Sequence, residues 1–416
     1  MFAAAFIGGD DPAIAITQEA AVMILSWRDH FPSYTFGDRI RDAGGYTSGF
    51  DYIRLILSVL VLYGHSPMIS GDHTANISEW FDKIRVYIVL PMFFSLSGFL
   101  VAASLLRTKS LIVFLVLRGL RIIPALLVEI SLSAIILGPL LTVSPLGEYF
   151  RQKDFYLYFL NIFGYIHYFL PGVFLSNPVP KIVNGSLWTV PYEAECYLAL
   201  AALSLLGFVK RADFLLGAIL TITTVLFIFN FVNGDPEPLR STATGRQLVF
   251  FFLSGVLLYL YRDAVYFSPL LAIIAALLSS VLVTSHTFVY LAPFPIAYLT
   301  GFIGLLKPRK LPLIFAGDYS YGIYLYAYPI QQAVYQLVPA SRHWYVNFAI
   351  SISVVGLFAV FSWHAIEKPI LRLKRIFLNL VEVGHGPEAG EMISPDKTIG
   401  AVATAEQGFR NDCSVK

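Results

Sequence analysis

Residues 50–66 read "FDYIRLILSVLVLYGHS", an apolar helix that carries Asp51, Arg54 and His65. A charge near the bilayer centre costs at least ~2.5 kcal/mol on insertion scales, so an ionisable residue kept there faces protein or a water-filled cavity. His65 follows Arg54 by eleven residues, three turns at 3.6 residues per turn. Asp51, Arg54, Ser58 and His65 therefore share one face of a rod that is otherwise Ile, Leu and Val. At ~1.5 Å per residue, Arg54 and His65 are separated by roughly 16 Å along the axis. Arg54 then lies near the mouth and His65 deep. Asp51 and Arg54 are spaced for an i,i+3 ion pair. A titratable imidazole at membrane depth suits acid–base work better than packing.

The composition extends the membrane reading to the whole chain. Of 416 residues, 57% are hydrophobic and only 13% charged, and the mean hydropathy is +0.69. A soluble domain carries about 25% charged residues, so an all-α, polytopic membrane protein is expected. The formal net charge of +2 argues against nucleic acid as a partner. Two cysteines, Cys196 and Cys413, exclude a disulfide framework and a cysteine-built zinc site. Cys196 lies in an apolar stretch and suits packing. The N-terminal "MFAAAFIGGDDPAIAITQEAAVMILSW" has no basic residue before its apolar part and is broken by Asp10 and Asp11, unlike a cleavable signal peptide.

Apolar runs of the ~20 residues needed to cross a bilayer fall near 51–70, 85–106, 119–141, 187–208, 213–232, 246–261, 266–285, 288–306, 313–338 and 346–366. That makes about ten transmembrane helices. A further run, "FYLYFLNIFGYIHYFLPGVF" (155–174), is ambiguous. Basic clusters sit at Arg107/Lys109/Arg118/Arg121, Lys210/Arg211, Lys307/Arg309/Lys310 and Lys368/Arg372/Lys374/Arg375. With ten spans and a cytoplasmic N-terminus all four fall on the cytoplasmic side, as positive charge prefers. A span at 155–174 would move every later cluster across. That run is therefore expected as an interfacial or re-entrant helix on the outer face, inside a loop from about 142 to 186. The chain divides into an N-terminal cytoplasmic extension (1–49), a transmembrane domain (50–375) and a polar tail (376–416), expected to be disordered and cytoplasmic. Both termini are then cytoplasmic.

Three more polar groups interrupt apolar segments. In "VFLVLRGLRIIP", Arg118 and Arg121 project from one face at the start of the third span. Two guanidinium forks there suit a phosphate or pyrophosphate, and they equally suit simple anchoring at a cytoplasmic helix end. In "NGSLWTVPYEAECYLAL" (184–200), Trp188 fits an interfacial belt and Glu193 lies inside the span. An intramembrane carboxylate is a functional candidate, or else a buried acid paired with an arginine. Glu195, two residues on, faces elsewhere. In "AGDYSYGIYLYAYPIQQ" (316–332), Tyr319, Tyr321, Tyr324, Tyr326 and Tyr328 flank a helix interrupted by Pro329. Such rings can hold a sugar-like ligand or pack between helices.

Taken in order, these segments resemble the acyltransferase-3 family of bacterial integral-membrane O-acyltransferases. The matching features are Arg54 and His65 with ten residues between them, "MFFSLSGFL", "RGLR", "NGSLWTVPYEAE", "SYGIYLYAYPI" and "AIEKPILRLKR", over roughly residues 35–375. The resemblance implies transfer of an acetyl or similar short acyl group from cytoplasmic acyl-CoA to a carbohydrate or glycolipid hydroxyl, at the bacterial inner membrane. It makes His65 the essential histidine, Arg54 its motif partner, Arg118 and Arg121 the pair at the CoA end, and Glu193 the acid of the fourth span. Trp188, Tyr321 and Tyr324 are the candidates to hold the acceptor. Two positions depart from the family pattern. Ala327 stands where many members have histidine, and Ala194 where some have a second acid.

The chemistry agrees with the residues. Esterifying a sugar hydroxyl needs a base, and a histidine near its ordinary pKa of ~6.5 serves at neutral pH. A thioester donor is already activated, so no metal or redox cofactor is required; acetyl-CoA is a substrate. His65 is placed to act as general base or as a transient acyl carrier. The competing reading is a transporter or flippase for a glycolipid or polysaccharide unit, which would favour inverted repeats with matched broken helices; none is visible in the sequence. The topology is testable. A cysteine placed in 236–244 is expected to label from outside intact cells and one in 307–311 is not; labelling of both from the same side would refute the ten-span arrangement.

Overall fold

The computed structural model describes residues 34–72, 79–108, 110–233, 245–285, 287–312 and 316–372. The tail from 376, Cys413, the 236–244 segment and most of the 1–49 extension lie outside the described residues. Among the described residues the fold is helical, without strands; Thr35 with Tyr266 and Phe169 with Ile182 form isolated bridges.

We number the main helices α1 (Phe36–Ala43), α2 (Ser48–Ser70), α3 (Glu79–Arg107), α4 (Leu111–Leu132), α5 (Val190–Leu205), α6 (Ala212–Asn233), α7 (Gly245–Leu260), α8 (Pro269–Leu282), α9 (Pro293–Gly304), α10 (Ser320–Leu337) and α11 (Trp344–Phe361). Helices α2 to α11 occupy the ten expected apolar runs. Among the described residues, five segments, 48–70, 87–107, 111–141, 212–232 and 344–372, are long and apolar enough to cross a bilayer by length and composition. The others are shorter or less apolar. Two of the long segments contain a π-helical turn, Ser133–Leu137 after α4 and Ser362–Glu367 after α11. Such wide turns leave carbonyls displaced from the regular ladder. In the first, the Tyr149 hydroxyl donates to Ala134 O at 2.7 Å.

The ambiguous 155–174 run does not form a span-length helix. It contributes to a six-residue helix, Lys153–Tyr158, a 3-10 turn, Phe159–Phe163, and irregular chain beyond it. Asn161 stabilises that chain, with Nδ2 donating to Tyr158 O and His167 O and Oδ1 accepting His167 N–H. The loop is seated on α10: Gln332 Nε2 donates to Val179 O and Ile182 O, both at 2.8 Å.

At the opposite end, α1 begins with a reciprocal Thr35–Asp38 cap and ends at Gly44, whose φ of 71° suits glycine. Arg41 pairs with Asp263 at 2.7 Å and Arg39 Nε donates to Leu305 O. Residues 34–49 are thus docked onto the body. Ser48 Oγ and the Tyr52 hydroxyl donate to Pro308 O and Arg309 O, which brings the 307–310 basic cluster to the same end as Arg54.

Helices α2 and α3 form the centre. Helices α10 and α11 pack against α2, α7 against α3, and α9 against both α2 and α3, while α6 is largely exposed. The α3–α7 contact is backbone to backbone. A Cβ on Gly98 would lie 1.9 Å from Phe252 O, and one on Gly255 would lie 2.0 Å from Ser95 O. Ser95 Oγ donates to Phe251 O at 2.9 Å across this seam. Gly98→Ala must push the helices apart, and overpacking of this kind destabilises by about 1–3 kcal/mol. A lowered thermal unfolding midpoint in detergent is the expected result.

Candidate active site

Six helices surround a cavity of about 170 Å³. Helix α2 contributes Arg54, α4 contributes Arg118 and Arg121, and α10 contributes Tyr321 and Tyr324. Glu193 and Tyr197 project from α5, Phe252 from α7, and apolar residues of α3 from Leu90 to Val101 complete the wall. Six of the eight residues singled out in the sequence are brought together here: Arg54, Arg118, Arg121, Glu193, Tyr321 and Tyr324. Glu195 is exposed on the other side of α5.

The cationic end is dense with hydrogen bonds. Arg54 pairs with Asp51 at 3.1 Å, as the i,i+3 spacing requires, and with Asp318 at 2.9 Å. It also donates to the Tyr46 hydroxyl and to Phe50 O. Arg121 donates to the same Asp318 Oδ2 at 2.5 Å, and Ser320 Oγ donates to Asp318 Oδ1. Lys310 reaches Asp51 at 2.7 Å. Among the described residues, Arg118 donates to the neutral Ser104 Oγ at 3.1 Å, and its guanidinium lies over the Phe114 ring.

Farther in, the Tyr197 hydroxyl donates to Glu193 Oε1 one turn earlier on α5. Thr189 Oγ1 lies 2.6 Å from the Tyr324 hydroxyl, which donates to Ser186 O. The Tyr321 hydroxyl donates to Ile122 O. Tyr321 and Tyr324 line the cavity and also cross-link helices, as packing between helices requires.

His65 and Trp188 are not among the described residues lining the cavity. His65 meets the edge of Tyr328 at 5.1 Å between centroids, one α10 turn past Tyr324. Trp188 meets Tyr192 at 6.0 Å. Beneath His65, Tyr328 presses on Gly185, where a Cβ would lie 2.6 Å from the ring. His65 therefore stands one layer beyond the cavity, toward the 164–184 loop.

The helix α10 runs through Pro329, where the sequence suggested an interruption. Proline has no N–H for the carbonyl four residues back, which here is Leu325 O. The Asn184 side chain replaces it, with Nδ2 donating to Leu325 O and to Glu129 Oε1, each at 3.0 Å. Ser133 Oγ donates to the same carboxylate. Glu129 is fully buried, and sequence reasoning passed over it, although an acid inside "ALLVEISL" obeys the rule that singled out Glu193. Asp318 and Tyr197 were also missed: Asp318 lies before its helix, and Tyr197 is legible only as i+4 from Glu193.

With this geometry in view, the comparisons are specific. A family model described as an acyltransferase domain matches residues 47–366, and the chain belongs to the acyltransferase-3 family. It is thus a multi-pass membrane protein of an O-acyltransferase class. An O-acetyl transferase of Shigella phage Sf6 is 26% identical over 336 residues, 77% of this chain and 95% of that protein. Nodulation protein 10 of Rhizobium leguminosarum bv. viciae is 30% identical over 359 residues, 80% of this chain and 95% of that protein. No solved structure matches the chain.

Asn184 offers a direct test of the buried network. Asn184→Ala removes the donor to two buried acceptors, and each unmet buried group costs roughly 1–3 kcal/mol. Thermal unfolding in detergent should show a clear loss of stability, and Asn184→Asp, which supplies no amide donor, should not restore it.

Proposed function

We propose that this protein transfers an acetyl or similar short acyl group from cytoplasmic acyl-CoA to a hydroxyl of a carbohydrate or glycolipid at the bacterial inner membrane. The observation that carries the reading is a cavity that is cationic at the Arg54/Arg118/Arg121 end and apolar along α3, with His65 one layer beyond it against Tyr328. A CoA-like donor has that polarity: phosphates at one end, a thin arm and an acyl group at the other. Guanidinium groups suit the phosphates. In this reading the acyl end reaches the level of Tyr324 and Tyr328, and the acceptor approaches from the side of the 164–184 loop. Both termini and the basic clusters then lie in the cytoplasm, with ten crossings.

At that level the acceptor O–H must lose its proton as its oxygen attacks the thioester carbonyl. The C–S bond breaks and CoA leaves as the thiolate, which becomes the thiol when the base returns that proton. His65 takes the proton in direct transfer, or its ring nitrogen carries the acyl group between donor and acceptor. The name of one relative, an O-acetyl transferase, and the acyltransferase family support acyl transfer. A second reading gives the base role to Glu193, which lines the cavity directly where His65 does not.

Removing a general base typically lowers the rate 10²–10⁴-fold. His65→Ala and His65→Gln are both expected to lose transfer to that extent in a detergent assay with acetyl-CoA and a glycan acceptor, with CoA binding retained. Near-normal turnover in His65→Gln would move the base role to Glu193. Purified wild type that binds a glycolipid but never consumes acetyl-CoA would favour the transporter reading.

A further inference from the structure

The three arginines of the cavity stand in different electrical situations. Arg54 has a partner at every nitrogen: Phe50 O at Nε, Asp318 at Nη1, and Asp51 with the Tyr46 hydroxyl at Nη2. Arg121 directs Nη2 to Asp318 Oδ2, the oxygen that already accepts from Arg54. That one carboxylate oxygen occupies, between two guanidinium groups, the position a phosphate oxygen of a ligand would take. Ser320 Oγ holds the other oxygen at 2.6 Å, so the carboxylate is fixed from its own chain side.

Arg118 differs. Its Nη2 donates to a neutral hydroxyl, its Nε is buried without a hydrogen-bond partner, and among the described residues it forms no ion pair with a carboxylate. Other charges around the cluster are Asp51 and Lys310, paired with each other; Glu193, bonded by Tyr197 and acting on Arg118 and Arg121; Arg107, whose like charge acts on Arg118; and Glu367, which acts on Arg121 from the π turn after α11. Arg54 and Arg121 thus hold a carboxylate in direct contact, whereas Arg118 has Glu193 nearby but no carboxylate bonded to it among the described residues.

We propose that Asp318 is a positioning residue that fills the anion position between Arg54 and Arg121, leaving Arg118 as the cation open to a phosphorylated ligand. The phosphate class rests on the donor reading above; the division of roles among the arginines rests on the geometry alone. A ligand anion seated at Arg118 lies beside Glu193 and Tyr197, whereas one seated between Arg54 and Arg121 would lie toward the mouth. Asp318 therefore decides where along the cavity an anion stops.

The consequence runs opposite to that of an ordinary structural ion pair. Asp318→Asn vacates the bridging position and leaves two guanidinium groups uncompensated, so the cavity should bind a free anion more tightly. Close charge pairs couple strongly enough for an affinity change of about tenfold or more. The experiment is calorimetric titration of the full chain in detergent with inorganic pyrophosphate, followed by acetyl-CoA turnover. Asp318→Asn is expected to gain about tenfold or more in pyrophosphate affinity and to lose kcat. Asp318→Glu, which keeps the charge, should stay near wild type, and Arg118→Ala should weaken binding. Unchanged or weaker pyrophosphate binding in Asp318→Asn overturns the proposal. Should that variant unfold on extraction, its recovery when extracted with pyrophosphate present supports the proposal, and failure to recover overturns it. Wild type that binds pyrophosphate but does not turn over acetyl-CoA would sink the donor reading and leave the comparison of variants intact.

Discussion

Asp318 Oδ2 sits between guanidinium groups from α2 and α4, residues 264 and 197 positions away along the chain. The three side chains are only about a fifth exposed, and removing the carboxylate would leave two guanidinium groups without compensation. The three elements are therefore bound to meet at one depth. With α2, α4 and α10 pinned there, Tyr321 and Tyr324 face the cavity from α10, and His65 follows on α2 three turns beyond Arg54. The register of the whole cationic end depends on this one oxygen.

Much of this was written in periodicity. Charged residues in apolar runs mark inward faces, which is why Arg54, Arg118, Arg121 and Glu193 could be chosen from spacing and are found around one cavity. Alternation also separated Glu193 from Glu195. The pairing of those residues could not be read. Asp318 lies in a short non-helical stretch with no period to reveal a face, and its partners are remote. The position of His65 relative to the cavity depends on how far α2 slides along α10, and no local pattern encodes a translation. Glu129 was legible by burial logic, but nothing in its own segment names Asn184 as its partner.

Prolines explain another part of the polar interior. Each proline in a helix removes an N–H and strands a carbonyl four residues earlier. At Pro329 the stranded group is met by Asn184 from just before the fourth apolar run, and two residues further Gln331 Nε2 donates to Leu62 O and Ser66 Oγ of α2. The residues that looked like interruptions of α10 are the places where other helices and the loop between α4 and α5 are attached to it. The run at 155–174 follows the same accounting: its carbonyls are met by Asn161 and, beyond it, Gln332, without a continuous helix.

The glycine seam between α3 and α7 lies directly behind the cavity wall. Ser97, Leu96 and Phe252 face the cavity, while Gly98 and Gly255 face the contact at the wall's back. Two helices whose backbones already touch have no slack to take up a change on either side. The space available to a ligand is therefore set from outside the cavity, by hydrogen atoms standing where methyl groups would be. A chain of the same architecture with a bulkier seam would be expected to admit a different ligand without altering a single residue that touches it.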